Sequence, residues 1–253
     1  MKNWKAVLLL GACLIFSGFA SNSAFAHSPN ASVYVVHGIP GRDVSEALDP
    51  ALPVDVQVNG EICLLKGFKF GDIEGPFTIP AGTYDFTISL ANTVAPCRNN
   101  ALLTANGVAF AEGENASVVA YLNAAGAPGV KKLDNDLTAI SAGQSRLIVQ
   151  HTAAAPAVDI TVQWNAVYFA LGSALVPNVS NGQQAAAVLP AVPVTYPFEL
   201  TNTRVTLSPA GQTSPVIGPF YFTLVPKSAY LIYAVGSLNT GSFTLISKAI
   251  PGI

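Results

Sequence analysis

Ser32-Val33-Tyr34-Val35-Val36-His37-Gly38-Ile39-Pro40, then Leu52-Pro53-Val54-Asp55-Val56-Gln57-Val58-Asn59, is the stretch from which the fold can be read. It returns later as Ser145-Arg146-Leu147-Ile148-Val149-Gln150-His151 and Ala155-Pro156-Ala157-Val158-Asp159-Ile160-Thr161-Val162-Gln163-Trp164-Asn165. Each version is an apolar strand, a His, a Pro-bearing loop and a second strand opening Val-Asp. The two histidines stand about 110 residues apart, the length of a small domain rather than of a solenoid repeat. A third block keeps the same order: Ala116-Ser117-Val118-Val119-Ala120-Tyr121 answers to Ala229-Tyr230-Leu231-Ile232-Tyr233. Two tandem domains follow, at 30–141 and 144–250. The small polar stretch Thr138 to Gln144 between them predicts a fixed pair rather than beads on a string.

The pattern inside each copy is that of strands. Val54, Val56 and Val58, then Tyr84, Phe86, Ile88 and Leu90, alternate with polar residues, and helical periodicity is nearly absent. Short strands punctuated by Gly, Pro and Asn at this density predict an all-β chain of two Ig-like (prealbumin-like) antiparallel sandwiches, each of seven to nine strands. Pro80-Ala81-Gly82-Thr83-Tyr84 reads as a tight turn with Gly82 at positive φ, and Asn202 is the candidate for that place in the second copy. Arg42 to Leu52 and Gly172 to Val194 differ between the copies and read as end loops, where binding surfaces are commonly built.

Residues 1–26 read as a secretory signal: two lysines, an apolar stretch from Ala6 to Ala20, and Ala24-Phe25-Ala26 for the peptidase. That address is secreted or extracytoplasmic, at the periplasm or cell surface. Leu10-Gly11-Ala12-Cys13 is only a loose lipobox. The mature chain keeps Cys63 and Cys97, and export permits a disulfide between them, worth about 3–4 kcal/mol by loop entropy. The alternative is two buried thiols.

Only 10% of residues are charged against 51% apolar, with a net charge of −2. A chain without a basic stripe is excluded as a nucleic-acid binder, because phosphate contacts need clustered Lys and Arg. Low mutual repulsion favours self-association. Two spaced halves with Pro-rich loops suit an outer-membrane barrel badly, and an integral membrane protein is not expected.

The block from Arg146 to His151 with Ala155 to Ile160, and the Pro-Ala-Gly-Thr-Tyr segment of the first copy, resembles the bacterial and archaeal exported domain family DUF4397. The resemblance covers the mature chain once per copy, with His37 and Asp55, and His151 and Asp159, at the family's strand-end His and Val-Asp-Val positions. The second copy lacks the Pro-Ala-Gly-Thr-Tyr form. The resemblance implies an extracytoplasmic β-sandwich, often in tandem, and brings no reaction with it.

His37, Asp55, His151 and Asp159 are the titratable pairs that the duplication repeats. A strand-end imidazole beside a carboxylate suits a loop-fixing pair first, and a ligand contact or metal site only second. One His per domain is too few for zinc, so neither a metal nor a cofactor is expected. Asp134-Asn135-Asp136 opens like a calcium loop but lacks the later ligands. Gly-x-Ser-x-Gly is absent, and Glu112 and Glu114 read as solvent-facing turn residues, so the chain is expected not to be an enzyme. Trp164 and Tyr168 are the aromatics that would stack on a sugar or small apolar ligand if exposed. The reading is a non-enzymatic cell-surface or extracellular protein with a structural, matrix or adhesion role, whose partner is itself, a surface protein or a glycan. The alternative is a carbohydrate- or small-ligand-binding module.

Overall fold

A computed structural model describes residues 29–166, 169–190 and 201–253. The signal segment, Tyr168 and the last four residues of the Gly172 to Val194 stretch lie outside them. The first half runs β1 (Asn30–His37), the single-turn α1 (Gly41–Val44), β2 (Val54–Val58), β3 (Ile62–Phe68), β4 (Ile73–Pro80), β5 (Gly82–Leu90), β6 (Ala101–Phe110), β7 (Asn115–Leu122) and β8 (Pro128–Asp134). The second repeats it as β9 (Gln144–His151), β10 (Val158–Ala166), β11 (Phe169–Val179), β12 (Gln184–Pro190), β13 (Thr201–Pro209), β14 (Ile217–Leu224), β15 (Ser228–Val235) and β16 (Thr244–Pro251). Sheet orders β4-β1-β7-β8 and β3-β2-β5-β6 recur, strand for strand, as β12-β9-β15-β16 and β11-β10-β13-β14. The chain is therefore all-β, in two similar sandwich-like halves.

Neighbouring strands are antiparallel except for β1 with β7 and β9 with β15, which pair parallel at the centres of their sheets. Parallel central strands belong where both faces are covered, and both faces are covered here. On β7, Ala116, Val118, Ala120 and Leu122 point into the first sandwich while Val119 points the other way. On β15, Tyr230, Ile232 and Ala234 fill the second sandwich, and Leu231, Tyr233 and Val235 face outward from it. Those outward rows meet. Tyr34, Val36, Val119, Leu133, Ile148, Leu231, Tyr233 and Val235 form a third buried core between the halves, so the molecule is a stack of four sheets with three apolar seams.

Polar groups fix how the inner sheets sit on each other. The Tyr233 hydroxyl and Ser117 Oγ are 2.7 Å apart, Ser117 bonds Asn135 Oδ1 at 3.0 Å, and Gln150 Nε2 donates to the same oxygen at 3.0 Å. Burial pushes the Tyr233 phenol's pKa well up, so it stays a neutral donor. Arg146 Nη1 donates to the Asp136 and Thr138 carbonyls and to Asp136 Oδ1, pinning the connecting segment.

Four sequence expectations change. Gly172 to Val194 is not an end loop: most of it is β11 and β12, the counterparts of β3 and β4. Gly82 is not at positive φ; it opens β5, and the corner is held by the Tyr84 hydroxyl donating to the Pro80 carbonyl at 2.8 Å. Asn202 lies inside β13, opposite Thr223. Glu114, expected in solvent, is half-buried and bonds Lys132 and the Ala111 amide.

Candidate functional site

His37 ends β1 and is 2% exposed. Its Nδ1 accepts from the Ile39 amide at 3.3 Å, which leaves Nε2 as the protonated nitrogen, donating to the Leu52 carbonyl at 2.9 Å. One imidazole thereby closes the α1-bearing loop back onto the strand. His151, fully buried at the end of β9, donates from Nε2 to the Pro156 carbonyl at 2.9 Å. Its Nδ1 has no partner among the described residues.

Asp55, 1% exposed, does not bond His37. Its Oδ1 accepts from the Gly67 amide at 2.9 Å, and its Oδ2 from the amides of Asn92 at 3.1 Å and Cys97 at 2.8 Å. A single carboxylate on β2 thus gathers β3 and two points of the β5–β6 loop, and Cys97 is in turn bonded to Cys63, with Cα atoms 5.8 Å apart. Asp159 repeats the device, accepting from Asn178 at 2.8 Å and Gly211 at 2.8 Å. Burial raises the Asp55 pKa, but the three amides and the Lys66 charge outweigh it and hold the group below the ordinary carboxylate value.

Both histidines are pushed below the ordinary imidazole value by burial. At His37 this overrides the upward pull of the Leu52 carbonyl and the Asp72 charge, and at His151 that of the Pro156 carbonyl. The unfolded chain then binds protons below pH 6.5 that the folded chain refuses, so stability is complete above that value and lost as pH falls beneath it. The expected loss between pH 7 and pH 5.5 is at most ~1.3 kcal/mol in all for each histidine. Urea denaturation across that range measures it, and a flat profile would show that the rings are not held neutral.

The remaining candidates lie apart. Trp164 stands on β10 five residues beyond Asp159, about 17 Å along the strand, and its indole packs on the second core and over Gly172. A Cβ at residue 172 would lie 2.5 Å from the ring, so glycine is required there. Asn135 of the calcium-like triplet serves the polar network between the sheets. No group of three His, Cys, Asp or Glu side chains suited to a metal occurs among the described residues, and no helix among them is long and apolar enough to cross a membrane. Sequence reasoning did not foresee a cleft of about 670 Å³ where Arg42, Asp43, Glu46 and Phe70 face Thr240 and Ser242. It is bridged by the Ser242 hydroxyl on Asp43.

These features define a class: a duplicated all-β protein whose repeated His and Asp side chains bond backbone groups and hold the strand-end loops. The chain belongs to the family described as Domain of unknown function (DUF4397), which matches residues 31–161. That match takes in the whole first half with β9 and the opening of β10. No curated protein matches. Among solved structures, the Bacillus anthracis TIE protein is 13% identical with a TM-score of 0.23 over 81% of this chain, which spans 33% of that protein's length. A proposed cell adhesion protein from Bacteroides uniformis is 11% identical (TM-score 0.27, 88% of this chain and 98% of that one). The tip fimbrial protein Mfa3 from Porphyromonas gingivalis is also 11% identical (TM-score 0.26, 88% and 99%).

Proposed function

We propose that this is an exported, non-enzymatic protein with a structural, matrix or adhesion role, built from domains at 30–141 and 144–250 and making its contacts through a strand edge. One observation carries the reading. Exposed edges are templates for another chain, and proteins blunt them with proline or charge. Among the edge strands described, β3, β8 and β16 carry lysine, β4 carries proline and glutamate, and β11, β12 and β14 carry proline. Only β6, Ala-Leu-Leu-Thr-Ala-Asn-Gly-Val-Ala-Phe, carries neither. Lys132 caps its far end by donating to the Ala109 carbonyl at 2.9 Å, leaving the stretch from Ala101 to Asn106 uncapped, with Leu102 51% exposed. The low charge of the whole chain supports close approach of copies. The occupant of the edge is a second copy, with another surface protein as the alternative.

The double variant Leu102→Lys with Thr104→Lys charges that edge at two exposed positions. Wild-type chain from Ser28 onward is expected to form concentration-dependent assemblies in light scattering and negative-stain microscopy. The variant is expected to stay monomeric with an unchanged thermal midpoint. A wild type that is monomeric at every concentration, or a variant that assembles equally well, overturns the reading.

A further inference from the structure

The first sandwich is not closed on one side. Between the edge strands β3 and β4, which are not paired to each other, lies an apolar cavity of about 240 Å³. Val33, Phe77 and Ile79 form one wall, and Val58, Leu64 and Phe86 the other. No charged side chain lines it. Phe77, Ile79, Leu64 and Tyr84 point inward yet remain partly accessible, and Ile62 at the mouth is 59% exposed.

The duplicate carries an aromatic side chain at the corresponding place. Val54, Val56 and Val58 on β2 correspond to Val158, Ile160 and Val162 on β10, and the next inward position on β10 is Trp164, packed on the second core. The first half has no such residue, because β2 stops at Val58 and the chain turns through Asn59 and Gly60, at φ 52° and 68°. One copy carries its own aromatic filling where the other leaves a slot.

We infer that the slot between β3 and β4 binds the alkyl chain of a single-tailed amphiphile. The lining selects for hydrocarbon, and the absence of a buried charge keeps the polar head at the mouth beside Ile62 and Pro80. Packed sheets lie about 10 Å apart, so the slot is one chain thick. Scaled from the ~150 Å³ cavity that holds benzene, it takes roughly nine carbons. That is too little for the paired tails of a bilayer lipid. The site is independent of the β6 edge.

The test uses the mature chain, N-phenyl-1-naphthylamine as fluorescent probe and decanoate as competitor. Saturable probe uptake displaced by decanoate is expected. Leu64→Trp, which supplies the missing indole, should weaken both at least tenfold with the thermal midpoint unchanged or raised, and Ile79→Trp gives the same reading from the opposite wall. Crystals soaked with 10-bromodecanoate should show bromine between Phe77 and Leu64, a readout that needs no variant. No saturable uptake, uptake untouched in a folded Trp variant, bromine elsewhere, or binding to phosphatidylglycerol vesicles without binding to decanoate overturns the inference.

Discussion

Leu231→Asp is expected to remove the cooperative fold of the whole molecule, not of the second half alone. Leu231 is fully buried on the outward face of β15, in the seam with Val36, Val119 and Ile148. Losing its burial costs about 3 kcal/mol. A carboxylate there adds more even with Lys248 opposite it on β16, because both charges would have to leave water to pair in the seam. The sum matches the ~5–15 kcal/mol that holds a typical domain together. Trp164 is the single tryptophan after the signal segment, so its fluorescence follows the second half while circular dichroism follows both. Guanidinium titration of the wild type should give one coincident transition. Leu231→Ala should lower it by about 3 kcal/mol in both signals together, and Leu231→Asp should show no native baseline. Two separate transitions in the wild type, with the first half indifferent to Leu231, would show that the central seam contributes little.

The second large effect is expected at Asp55. Removing the carboxylate in Asp55→Ala leaves the amides of Gly67, Asn92 and Cys97 without an acceptor at once. Each such bond to a charged group is worth about 1.5–3 kcal/mol, and a buried amide left bare costs a further ~1–3. A loss near 5 kcal/mol follows, larger than for Asp159→Ala, where the carboxylate accepts from the amides of Asn178 and Gly211. Asp55→Asn sits between, since it keeps one oxygen and turns a donor toward other donors. Because the Asp55 pKa is lowered in the folded chain, its contribution is full above the ordinary value of 3.8 and disappears as pH falls through the folded value. Urea denaturation at pH 7 and pH 3 measures both. Since Asp55 holds the Cys97 amide, dithiothreitol should also open the Cys63 to Cys97 bond faster in Asp55→Ala. Equal losses at Asp55 and Asp159 would refute the count of bonds as the cause.

The duplication, the sandwich and the cysteine partners were legible because each leaves a local mark: a repeated His and Val-Asp, a period of two, a lone pair of thiols. The central seam left only half a mark. Val118-Val119-Ala120 and Leu231-Ile232-Tyr233 are apolar on both faces, which states that both are covered. Nothing in that pattern names the covering partner. β11 and β12 were read as loop because Gly172, Pro177, Gly182 and a run of alanines blur the alternation, and their pairing with β10 and β9 is written in backbone bonds. The His and Asp positions were visible but their partners were not. Gly67, Asn92 and Cys97 offer amides, which every residue type has, from two places, β3 and the β5–β6 loop, that nothing in the sequence ties to Asp55.

The order of the four sheets also decides how the molecule carries load. Tension applied between residue 30 and residue 251 enters through β1 and β16, both members of the inner sheets. It therefore runs along the middle of the stack, past the polar clamp of Ser117, Asn135, Gln150 and Tyr233, while the outer sheets and the disulfide lie off the path. β1 is gripped by a strand on either side, whereas β16 has β15 alone. Under force β16 is therefore the strand expected to leave first, before β1 and before the slot and the β6 edge of the first half are disturbed.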